Sequence, residues 1–106
     1  MDSHCQLHVW RLAGALTSLV YRITDRLPEH QRLVVTVRLQ RAAWSVQNNI
    51  AEGSARQGRR EMRKFIGYAI GSLAQVDSML GTLPAVYAVD AGELKDAGDL
   101  LRRIKL

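Results

Sequence analysis

The chain has 106 residues, 47% of them hydrophobic and 24% charged, which suffices for one domain with a modest core and excludes wholesale disorder. Its single cysteine cannot close an internal disulfide, no apolar run approaches the ~20 residues of a membrane span, and the opening Met1-Asp2-Ser3-His4-Cys5 is no secretory leader, so the cytoplasm is the expected compartment. The net charge is +5, and all of the excess falls between Arg38 and Lys64, where seven basic residues stand against two acidic ones; such a concentration points to a polyanion-facing patch.

The first helix is predicted from about residue 8 to 27. Arg11, Ser18, Arg22 and Asp25 form its narrow polar stripe, and Val9, Trp10, Leu12, Ala13, Leu16, Leu19, Val20 and Ile23 fill most of the remaining circumference. Leu27-Pro28 stops it, because proline restricts the residue before it and cannot continue the hydrogen bonding.

The second helix is predicted over about 29–52 with Gly53 as its C-cap. Val35, Leu39, Ala42, Val46 and Ile50 make a core stripe. Arg41, Ser45, Asn49 and Glu52 form a polar ridge beside it. Polar groups in such a border position must pair. The ridge is expected to be a network that fixes how helices two and three meet; the alternative is that Asn49 and Glu52 bind the following loop and position Arg56. Leu33, Val37 and Trp44 lie roughly opposite the core, which suggests a second buried contact.

The third helix is predicted over about 59–82, with Met62, Phe65, Ile66, Ala69, Leu73, Val76 and Leu80 facing the core; Pro84 ends or kinks it. A separate strip, Gly67, Gly71, Ala74, Ser78 and Gly81, holds only small residues. Each glycine costs the helix about 1 kcal/mol relative to alanine, a cost that close approach of a neighbouring helix would offset. Asp90-Ala91-Gly92-Glu93 reads as a capping box opening a short fourth helix over about 91–105, which buries Leu94, Ala97, Leu101 and Ile104. The pattern is that of an all-α, antiparallel up-down-up-down four-helix bundle in a single domain.

Arg56, Arg59, Arg60, Arg63 and Lys64 form the densest charge cluster, where the third helix begins. Cations there oppose the helix dipole, so the cluster is either a solvated basic loop or a site built for an anion, with helix amides and arginines cradling phosphate. Nearby aromatics are few, and sequence-tolerant backbone binding fits better than a stacking platform. His4, Cys5 and His8 have soft-metal spacing but no fourth ligand in sequence, and no metal or cofactor is expected. Ser45 and Ser72 have no histidine or lysine at helical reach, paired carboxylates are lacking, and no phosphate-loop glycine pattern occurs; no enzyme is expected.

The run from Arg41 to Gly53, with Asn49-Ile50-Ala51-Glu52-Gly53 at its end, resembles the central motif of the 23S ribosomal RNA intervening-sequence proteins. The stretch from Phe65 through Ala69, Gly71, Ser72 and Leu73 is similar to that family's next helix, and Leu7-His8-Val9-Trp10 to its usual start, so the likeness spans about residues 7–83. Gln47 stands where the family usually has proline, which should leave helix two straighter, and Gln75 replaces a usual glutamate. The resemblance implies a left-handed up-down-up-down bundle assembling as a ring, commonly a pentamer, with a basic surface. It also implies kinship with the accessory proteins of diversity-generating retroelements, which bind nucleic acid and a reverse transcriptase. The expected function is a non-enzymatic, ring-forming adaptor that binds RNA or DNA backbone through Arg56, Arg59, Arg60, Arg63 and Lys64. Its oligomer contacts are expected at Leu33, Val37, Trp44, Gly67 and Gly71. The alternative is a structural oligomerisation module with a protein partner and no nucleic-acid role.

Overall fold

The computed structural model describes residues 3–106, and all of their side chains but those of residues 29–32. The reading of Met1 and Asp2 as a leaderless start falls outside the described residues. Four helices follow in order: α1 (Ser3–Asp25), α2 (Glu29–Ala55), α3 (Arg59–Val86) and α4 (Ala91–Arg103), with no strand among the described residues. None of the helices is long and apolar enough to cross a membrane.

The breaks lie where the sequence puts them. Arg26 N and Leu27 N bond back to Ile23 O and Thr24 O, and Pro28 then opens α2 with extended backbone. Asp90 caps α4, its Oδ1 accepting from Glu93 N at 2.8 Å. α1 ends at Asp25 and α4 at Arg103, each two residues short of expectation, and three further boundaries differ by more. α1 begins at Ser3, several residues early, and the Gln6 amide reaches Met62 Sδ at 3.6 Å. Gly53 is not the C-cap: α2 continues to Ala55, and Gly53 is buried against α3, where an added Cβ would lie 3.3 Å from Met62 O and 3.4 Å from Phe65 Cβ. Its missing side chain serves close packing. α3 runs through Pro84 to Val86, since a proline within one turn of the end removes little more than its own bond to the preceding turn.

α2 packs most extensively on α3 and next on α1, while α4 lies mainly on α1 and touches α3 lightly. The α1–α2 register is marked by Gln40 Nε2 donating to Thr24 Oγ1 at 3.1 Å and by Trp44 meeting Tyr21; Ser45 meets Ser72 across α2 and α3. α1 buries Val9, Leu12, Ala13, Leu16, Leu19, Val20 and Ile23 of its wide apolar stripe, whereas Trp10 stays 40% exposed. Thr17 and Thr24 are buried beside them, and their hydroxyls donate to the carbonyls of Ala13 and Val20, so no polar atom is stranded there. Leu39, Ala42, Val46 and Ile50 are buried on the expected face of α2. On α3 only Ala69, Val76, Leu80 and Leu83 are fully buried; Met62, Phe65, Ile66 and Leu73 are half-buried, because little but α2 covers that helix.

Candidate nucleic-acid interface

The connection between α2 and α3 is three residues long and turns at Gly58, whose φ of 90° and ψ of 145° lie in a region that residues with a Cβ rarely enter. Arg56 precedes the turn and Arg59, Arg60, Arg63 and Lys64 follow it on the first turns of α3. All five are exposed, and Glu61 is the only acid in the first turn of α3. They share one end of the molecule with the start of α1, as the Gln6–Met62 contact shows.

Arg56 is held from two sides. Its Nη2 donates to Glu52 Oε2 at 2.8 Å, and its guanidinium lies 4.8 Å from the centroid of Phe65. Phe65 in turn meets Tyr68 edge-on, with centroids 5.7 Å apart. Phe65 is thus half core residue and half platform for a cation, a role its place in the apolar stripe conceals. Among the described residues Arg59, Arg60, Arg63 and Lys64 form no ion pair, which leaves their charges facing solvent.

The polar ridge is a network over part of its length. Asn49 Nδ2 donates to Ser45 O at 2.8 Å and to Ser45 Oγ at 3.0 Å, and Ser45 Oγ lies 2.7 Å from Ser72 Oγ, which stitches α2 to α3. Glu52 binds Arg56 and so positions the basic loop. Arg41 stands apart, exposed and bonded to none of the other three. Ser72 was not legible as a partner of Ser45, because 27 residues separate them.

The residues expected at an oligomer contact fall on different surfaces. Leu33 is 72% exposed and Val37 half-buried on α2, whereas Gly67 and Gly71 lie on α3 with nothing within 4 Å of a Cβ added to either. Within one chain, then, no helix covers the small-residue strip. Trp44 is 45% exposed, but its Nε1 donates to Tyr21 Oη at 2.9 Å and its ring meets Tyr21 edge-on at 6.5 Å. It forms one wall of a groove between α1 and α2 that Trp10, Gly14, Tyr21 and Gln47 also line. The sequence reading left this groove unseen. His4, Cys5 and His8 are exposed on α1, and the described residues contain no group of three or more side chains arranged to hold a metal.

Four helices with one strongly basic apex define a small all-α protein of the intervening-sequence type. The family model of the 23S rRNA-intervening sequence proteins matches residues 5–105, and the chain belongs to that family. A comparison with curated proteins gives no match.

Proposed function

We propose that this chain is a non-enzymatic adaptor that assembles as a ring and binds RNA or DNA backbone through Arg56, Arg59, Arg60, Arg63 and Lys64. The observation that carries the reading is the cluster of five exposed cations around the Gly58 turn, four of them without an acidic partner among the described residues. Contacts of this kind position a phosphate chain without reading its bases. Glu52 and Phe65 hold Arg56 in place, and such preorganisation favours binding over a merely solvated loop.

Assembly is supported by surface that one chain leaves uncovered: Leu33 and, in part, Val37 on α2, and the open strip through Gly67 and Gly71 on α3. Two different faces favour a head-to-tail contact, which closes as a ring; five copies is the number the resemblance favours. Trp44, expected at the same contact, is 45% exposed and hydrogen-bonded to Tyr21. The helix pairings support an up-down-up-down bundle with alternating directions, since Gln6 and Leu7 line one recess with Ser54 and Ala55 while Thr24 meets Gln40. Kinship with the accessory proteins of diversity-generating retroelements, a reverse transcriptase as partner, a cytoplasmic location and the absence of any cofactor or membrane role belong to the same reading. The second reading, a structural module with a protein partner, is favoured by one observation: Arg56 already spends its charge on Glu52.

Binding to RNA and to DNA measured across salt concentrations tests the proposal. Neutralised phosphates release counterions, so affinity should fall steeply with salt. Replacing Arg59, Arg60 and Arg63 together by glutamine should reduce the log–log slope by about 2–3 while helical content and particle mass persist. Absence of binding by the native chain at low salt leaves the structural module. A light-scattering mass equal to the 11.9 kDa of one chain removes the ring.

A further inference from the structure

We propose that the groove between α1 and α2 seats an unstacked base of a single-stranded nucleic acid, a site distinct from the basic apex and resting on the nucleic-acid reading above. Trp10, Gly14, Thr17, Tyr21, Trp44 and Gln47 line this open recess of about 580 Å³. Trp10 and Trp44, 40% and 45% exposed, together with Tyr21, give it aromatic walls. Aromatic faces of this kind accept any base by stacking.

Gln47 supplies the polar part. It is only 8% exposed, yet its amide has no hydrogen-bond partner among the described residues. The amide reaches the solvent-open recess that Gln47 lines, so it can pair with whatever enters there. One amide offers a donor and an acceptor side by side, which is the pattern that pairs with the edge of a base. Gly14 makes room for it, since a Cβ there would lie 2.8 Å from Gln47 Nε2. Tyr21 Oη accepts from Trp44 Nε1, which leaves its own proton free to donate.

Charge and continuity select a nucleic acid over an apolar occupant. Arg11 and Arg22 follow the lining residues Trp10 and Tyr21 on α1, and Arg41 lies one turn before Trp44 on α2; all three are exposed, against Asp25 as the acid nearest Tyr21 in sequence. A second recess, lined by Leu7, Trp10, Ala51, Ser54 and Ala55, shares Trp10 with the first and leads to the Arg56 loop. Arg56 stands nine positions after Gln47, roughly 14 Å along the helix direction, a distance that a strand of a few nucleotides spans. Phosphates held at the apex thus place a base at the groove.

The chain's two tryptophans both line the recess, so intrinsic fluorescence reads its occupancy directly. The probes are a short oligodeoxyadenylate and an abasic strand of equal length and charge. The strand with bases should quench the fluorescence and bind about tenfold more tightly than the abasic one. Gln47→Leu and Trp10→Ala should each bring it down to the abasic level, with abasic affinity and particle mass unchanged. Equal affinities without quenching overturn the groove and leave the apex reading intact, whereas binding of neither strand overturns both. A change of particle mass in either variant also overturns it, because the recess would then hold a second copy of the chain.

Discussion

Gly58→Ala perturbs the turn that carries the basic apex. Gly58 has the only positive φ among the described residues, 90°, with ψ of 145°, and nothing lies within 4 Å of an added Cβ. The methyl group therefore meets no neighbour, and the whole effect is backbone strain. Holding a residue with a Cβ in such a region costs about 1–3 kcal/mol. Alanine also narrows the unfolded ensemble, which returns about 0.4–1 kcal/mol. The net loss is about 1–2 kcal/mol, a fall in Tm of roughly 5–15 °C for a domain of this size. Gly81→Ala is the matched control: it lies within α3, again with nothing within 4 Å, so it should gain about 1 kcal/mol from helix propensity. Thermal unfolding followed by circular dichroism reads both. A Gly58→Ala protein that melts at or above the native temperature would refute the turn geometry, and with it the placement of Arg56 relative to Arg59 and Arg60.

Asp90→Ala removes the cap that Glu93 N donates to and should cost about 1 kcal/mol, visible as a lower denaturant midpoint with unchanged slope. In a double-mutant cycle, Ser45→Ala and Ser72→Ala should couple by about 0.5–1.5 kcal/mol; additive effects would mean that the two hydroxyls do not meet. The hydrogen bond and charge of Lys95, followed by those of Arg102, hold the Asp99 carboxyl below its ordinary value. Its contribution to stability is thus full above the usual carboxylate range and disappears as the pH falls through the lowered value. Lys95→Met should move the Asp99 midpoint upward in a carboxyl-resolved NMR titration, and an unmoved midpoint would assign the effect elsewhere.

Features decided by near neighbours in sequence were legible in it. Pro28 stops one helix and Asp90 starts another through contacts no longer than four residues, and the stripe from Leu39 to Ile50 needs only helical periodicity. Gly53 reads as a terminus by local rules, but its role is set by Met62 and Phe65 on the facing helix. The same holds for Phe65, whose ring takes Arg56 from across a turn, and for Trp44, whose partner Tyr21 lies 23 residues earlier. Gln47 is the clearest case. Its burial follows from a glycine one helix away, and nothing about a glutamine in an amphipathic run announces that.

The light attachment of α4 bears on the order in which the molecule forms and opens. α2 and α3 are adjacent in sequence and share the largest contact, so their docking costs the least loop entropy. α4 touches neither α2 nor much of α3, and its anchor is α1, reached through Arg26 beside Asp90 and Glu93 at a separation of more than sixty residues. Closing that loop pays off only once the first three helices are in place. In native-state hydrogen exchange, the amides of α4 should therefore open first and with the smallest free energy, while those around Ile50 and Val76 exchange last, with global unfolding.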